Sequence, residues 1–241
     1  MADAVYADAH CHLAAFENPS GEISRAIEAG VSIMICSGDS INESEACIRL
    51  SDSKYVFATV GISPEFAKAE GALVSKIEGL AYSNKGKVVG IGEIGLDKKE
   101  TLKNEISVQE DAFASQIMLA KEAKLPIVIH SRGMLQRVVE IVKGYGVERA
   151  MFHFFEGTAG EAMELAKRYM ISIPPNVNKE RKRIISSLDI DNIVAETDSP
   201  FAGKSPTDVI RVIEEIAKIK GISVDNAADK ITQNIRNLFN I

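Results

Sequence analysis

The stretch Tyr6-Ala7-Asp8-Ala9-His10-Cys11-His12 decides how the rest of the chain is read. An apolar lead-in at residues 4–7 reads as a strand and runs into two histidines one residue apart. Residues i and i+2 of an extended chain share a side. His10 and His12 therefore face one way with Asp8 behind them, while Ala9 and Cys11 face the other. Two neutral imidazoles converging at a strand end are a ligand pair for zinc and its neighbours. A His-x-His by itself reads equally well as a pair of surface or core histidines. The chain has only 4 histidines, and the other two, His130 and His153, also close apolar runs.

Outward from that stretch, short apolar runs alternate with stretches of helical period. Strands are expected at residues 31–36, 55–61, 88–94, 127–129, 149–154, 170–173 and 193–195. Between them lie helical segments: 20–29 closed by Gly30, 40–53, a region with Leu73, Ile77 and Leu80, and a longer one with the stripe Phe113, Ile117, Ala120. Further helices carry Leu135, Val138 and Val142, then residues 157–169, then a basic helix from Lys179, and two more at 206–220 and 224–239. Eight strand-then-helix units with short connections imply parallel strands joined by helical crossovers. In 241 residues they fit an α/β fold of the (β/α)8 TIM-barrel type, one domain over residues 1–241, with active groups at the C-terminal strand ends. An open doubly wound sheet is the alternative, but no glycine-rich phosphate loop follows the first strand.

Composition narrows the class. Hydrophobic residues make up 46% and charged ones 26%, the balance of an ordinary globular protein. No apolar run approaches the roughly 18 residues of a membrane span, and the N-terminus lacks the basic start of a secretory signal. Cys11, Cys36 and Cys47 form no Cys-x-x-Cys and read as reduced thiols, so a cytoplasmic protein is expected. A net charge of −6 argues against unspecific binding along nucleic acid, though not against a phosphate meeting cations in a cleft.

The residues that end the strands are His10 and His12 on the first, Glu93 on the fourth, His130 on the fifth, His153 on the sixth and Asp198 on the eighth. All are metal-ligand types, and unpartnered buried charge is severely penalised, so the set calls for cations. Two such ions would serve hydrolysis by polarising a phosphoryl oxygen and acidifying water. Asp198, with Glu93, is the expected catalytic carboxylate, orienting or deprotonating the attacking water. Arg132, two residues past His130, is placed to contact a phosphate or to form a salt bridge at the rim. Asp8, Asp97 and Glu196 sit close in sequence to ligands and read as groups that fix ligand orientation. The basic run Arg181-Lys182-Arg183 reads as a solvated helix face, and Lys98, Lys99, Lys103 and Lys204 would raise the potential near the mouth.

These residues resemble the ordered signature blocks of the TatD family of metal-dependent hydrolases, in the amidohydrolase superfamily. The blocks are Asp8-Ala9-His10-Cys11-His12, the segment from Gly90 to Asp97, Pro126-Ile127-Val128-Ile129-His130-Ser131-Arg132, His153-Phe154-Phe155-Glu156-Gly157 and Glu196-Thr197-Asp198-Ser199-Pro200. The resemblance implies one metal on His10, His12 and Asp198 and a second on His130 and His153, with Glu93 bridging. It implies two divalent ions (Zn, Mn, Mg or Fe) and cleavage of DNA strands or ends. Three departures fall on the substrate side. Ser63 stands where many relatives have a histidine thought to contact substrate, Phe154 and Glu156 replace small or polar residues, and residues 201–206 lack the usual basic stretch. They keep open a second reading, hydrolysis of a small-molecule amide, ester or lactone. A non-catalytic metal-binding barrel is the third.

Overall fold

Apolar runs with few polar interruptions become the inner wall. The computed structural model describes residues 5–102 and 105–241. The chain opens with β1 (Tyr6–Cys11), α1 (Pro19–Glu28), β2 (Val31–Ser37), α2 (Ile41–Leu50) and β3 (Val56–Val60). Then come α3 (Ala67–Glu70), α4 (Val74–Ser83), β4 (Val88–Gly95), α5 (Ile106–Ala123), β5 (Ile127–His130), α6 (Leu135–Gly144) and β6 (Ala150–Phe152). The rest is α7 (Ala159–Leu165), β7 (Met170–Ile173), α8 (Lys179–Ser187), β8 (Ile193–Ala195), α9 (Val209–Lys220) and α10 (Val224–Phe239). All seven strand pairings are parallel and sequential, in the order β1 to β8. The strands are buried almost throughout, as expected of parallel strands covered by helices on one side and packed into a barrel on the other.

Closure between β8 and β1 comes from two backbone bonds just past the end of β8. The Asp198 amide donates to the His10 carbonyl at 2.9 Å, and the His12 amide to the Ser199 carbonyl at 2.7 Å. The bonds that complete the barrel thus bring three of the expected ligands together.

The structure bears out the barrel and moves several boundaries. The first strand ends at the histidine pair, as expected, running through His10 to Cys11 with a register irregularity between Asp8 and Cys11. Ala4, part of the expected lead-in, lies outside the described residues, as does Lys103. The sixth strand ends at Phe152, so His153 stands just beyond it. The helix expected at 157–169 is shorter, Ala159–Leu165, started by a capping box between Thr158 and Glu161. No helix among the described residues is long and apolar enough to cross a membrane.

Candidate metal centre

Each cluster residue is delivered by a local backbone device. On β4, Glu93 follows Gly92, and Gly95 has a φ of 146°, where any side-chain carbon would collide with the His130 carbonyl oxygen. Only glycine fits there, and its absence of a side chain lets β4 and β5 close up so that Glu93 and His130 face each other. Asp198 has a φ of 49°, in the left-handed region that Asp tolerates better than most residues. Its carbonyl accepts from the amides of Phe201 and Ala202, both at 2.9 Å, which locks the turn presenting its carboxylate.

The six side chains expected to be ligands meet. His10 Nε2 lies 3.1 Å from His12 Nε2, and His12 Nε2 lies 3.2 Å from Asp198 Oδ1. On the other side, His130 Nδ1 is 2.5 Å from Glu93 Oε1, with His153 Nε2 3.7 Å from the same oxygen. The two oxygens of Glu93 divide the cluster: Oε2 faces His10 at 3.3 Å and His12 at 3.8 Å, while Oε1 faces His130 and His153. Two triads of ligand atoms result, His10–His12–Asp198 and Glu93–His130–His153, each within 4.8 Å. Two nitrogens on one tetrahedral zinc stand about 3.3 Å apart, close to the observed imidazole spacing. Imidazole and carboxylate donors at this spacing fit divalent cations.

Outer carboxylates hold the imidazoles. Asp97 Oδ2 sits 2.8 Å from His130 Nε2, and Glu196 Oε2 sits 3.0 Å from His153 Nδ1. These are the positions from which a carboxylate sets tautomer and ring orientation. Asp8 acts differently. It accepts from the Thr197 amide at 2.9 Å and hydroxyl at 2.5 Å and from the His10 amide at 3.3 Å, so it fixes the backbone beside two ligands rather than an imidazole.

The charge balance follows from this crowding. Burial pushes His12 down, but Asp39, Asp198 and Glu93 carry it up to about 10. Burial also opposes protonation of His130 and His153, yet Glu93 and Asp97 raise the first to about 10, and Glu196 and Glu93 raise the second to about 9. Burial works against ionised Glu93, but the imidazoles of His153 and His130 hold its carboxyl well below the usual range. Without a cation, protons supply the positive charge that these carboxylates demand.

Residues 7–240 match the family described as TatD related DNase. The chain belongs to the TatD family. It is 33% identical to a metal-dependent hydrolase of Methanocaldococcus jannaschii, over 99% of this chain and 98% of that one. It is 32% identical to a putative deoxyribonuclease of Danio rerio, over 97% of each. A TatD homolog from Escherichia coli has the same fold, with a TM-score of 0.88 at 23% identity over 98% of both chains.

Four features of this TatD-family site escaped the sequence reading. Asp39, on the loop after β2, points Oδ2 at His12 Nδ1 from 3.9 Å and forms a further candidate group with His12 and Glu93, as Glu196 does with His10 and His153. Gln116 accepts from the Ile62 amide and donates to its carbonyl, at 2.7 and 3.0 Å. Gln109 does the same for Asp97, at 2.8 and 3.2 Å, so α5 clamps two site loops by their backbones. Lys182 and Arg183 keep to the expected solvated face, but Arg181 does not. It is 5% exposed, donates to the Asn176 carbonyl at 2.5 Å and lies 4.8 Å from the Phe154 ring centroid. The fourth is the exposed ring of Phe201, 4.9 Å from His12.

The two expected substrate contacts differ in placement. Arg132 forms the rim salt bridge, 2.6 Å to Asp97, and also lines a cavity of about 180 Å³ beside His130, His153 and Asp198. Ser63 is buried, and its amide donates to the Asp39 carbonyl at 2.8 Å, tying the loops after β2 and β3 together. The cavity wall runs along the loops after β5, β6 and β8 instead.

Proposed function

We propose that this chain is a two-metal phosphodiesterase, a deoxyribonuclease acting on single strands or DNA ends. The observation that carries the reading is the division of Glu93, one oxygen toward each ligand triad. One ion would be held by His10, His12 and Asp198, the other by His130 and His153, with Glu93 between them. Divalent ions bound there supply Lewis acidity and lower the pKa of water from about 15.7 towards roughly 7. Zinc, manganese and iron all suit this donor set, and magnesium suits it less well.

The chain's own groups do the rest. Asp198 lines the cavity and accepts the proton of the attacking water. Arg132, fixed by Asp97, holds a non-bridging phosphate oxygen by charge-assisted hydrogen bonds. Asp97 and Glu196 keep the unprotonated nitrogens of His130 and His153 turned into the cluster. The buried thiols Cys11, Cys36 and Cys47, none in a disulfide, support a reducing, cytoplasmic setting.

The test is cleavage of end-labelled single-stranded DNA by purified protein loaded with Mn²⁺, Zn²⁺ or Mg²⁺, against His130→Ala. Cleavage by the wild type and none above background by the variant is expected. Inactivity on DNA with turnover of a lactone, amide or simple ester would replace the nuclease reading with the small-molecule one.

A further inference from the structure

Two aromatic rings stand at the mouth of the cluster and hold no part of it. Phe201 is 67% exposed, the most of any large apolar side chain among the described residues. Its ring meets His12 edge-on at 65°, and its backbone amide donates a hydrogen bond to the Asp198 carbonyl, tying it to the loop that presents that carboxylate. Phe154 lines the cavity, its ring 5.8 Å from that of His153. Its φ of 45° is a left-handed conformation that non-glycine residues adopt only when the surroundings impose it. The buried guanidinium of Arg181 backs this ring, and its Nε has no hydrogen-bond partner. Strand order sets the two rings on the loops flanking the one after β7, each against a different histidine.

The cavity that Phe154 lines, about 180 Å³, falls below the roughly 300–1,000 Å³ of pockets that engulf a small ligand. It admits a phosphodiester group but not the attached sugars and bases, which must lie along the rim where the rings stand. Aromatic side chains hold unpaired bases by stacking, with little regard to sequence. A base inside a duplex has both faces covered and cannot be held this way.

We propose that Phe154 and Phe201 are a stacking pair that takes the unpaired bases on either side of the phosphate held at the cluster. The inference rests on the phosphodiesterase reading above and adds the residues that select single strands over closed duplex. Arg181 is a positioning residue that holds the Phe154 ring from behind by a cation–π contact.

The experiment compares Mn²⁺-loaded wild type, Phe201→Ala, Phe201→Trp and Phe154→Leu on a single-stranded oligonucleotide. A second oligonucleotide lacks the bases flanking the cleaved phosphate. For the wild type, losing those bases raises KM about ten-fold or more. Phe201→Ala raises KM on the intact strand by a similar factor and becomes indifferent to base removal, with kcat within about three-fold and metal content unchanged. Phe201→Trp restores the wild-type pattern, and Phe154→Leu shifts KM in the direction of Phe201→Ala. Unchanged KM and retained sensitivity to base removal in both Phe201→Ala and Phe154→Leu would overturn the stacking pair alone. A wild type that cleaves neither strand would remove the phosphodiesterase reading and this inference with it.

Discussion

The two ends of the barrel differ in room and in chemistry, and in opposite senses. A cavity of about 960 Å³ opens at the N-terminal strand ends, near Val88, Pro126 and Arg149. Its charged lining is mostly cationic, with Lys54, Lys85, Lys124 and Arg236 beside Arg149, and it contains no histidine. At the C-terminal mouth the cavity lined by His130 and His153 holds only about 180 Å³, yet all four histidines gather there with Glu93 and Asp198. Size therefore does not locate the candidate metal centre in this molecule. The loops that follow parallel strands carry reactive side chains on a rigid wall, whereas the opposite end serves chiefly to close the fold.

The largest expected effect at the C-terminal mouth comes from Glu93→Gln. It keeps the shape of the side chain but removes the charge facing both triads. Metal-supported DNA cleavage should fall about a thousand-fold or more, because each factor of ten corresponds to about 1.4 kcal/mol and the cations supply several. Steady-state rates at saturating Mn²⁺ measure it.

An intermediate effect is expected one layer out. Glu196→Gln, which weakens the grip on His153, should cost about 10- to 100-fold in metal affinity by isothermal titration. The same titration has a pH signature. His153 holds its proton up to about 9 and His12 and His130 theirs up to about 10, so below those values binding must displace protons. Affinity should therefore rise with pH, by about ten-fold per unit for each proton displaced, and flatten above about pH 10. A pH-independent affinity would break the link between these imidazoles and the metal.

The smallest effect belongs to the other mouth. Arg149→Gln, in the larger cavity, should leave cleavage of a short single strand within about two-fold of wild type. A larger loss there would mean that the roomy end also handles substrate, and the contrast between the two ends would fail.

The fold was legible because β2 to β8 are each short apolar runs bounded by turn residues; Glu93, His130, His153 and Asp198 sit at corresponding ends of four of those runs, and His10 and His12 at the same end of β1. What stayed hidden was polar side chains facing inward. Gln109 and Gln116 lie four residues before Phe113 and Ala120 on the buried stripe of α5, where pattern reading assigns polar residues to water. Arg181 is buried with Ile184 and Ile185, at i, i+3 and i+4 of α8, so its place on the apolar face was readable from spacing but masked by the neighbouring Lys182 and Arg183. Asp39 gave a fainter signal, one carboxylate in the loop after an apolar strand. Its approach to His12 depends on the curvature of the barrel, which no local pattern encodes.

The most direct test of the proposed centre is the metal stoichiometry of the protein itself. Metal-free wild type, titrated with Mn²⁺ or Zn²⁺ and then passed through a desalting column, should retain two equivalents per chain by elemental analysis. His130→Ala should retain no more than one. A wild type holding a single equivalent or none under saturating conditions would contradict the two-triad arrangement around Glu93.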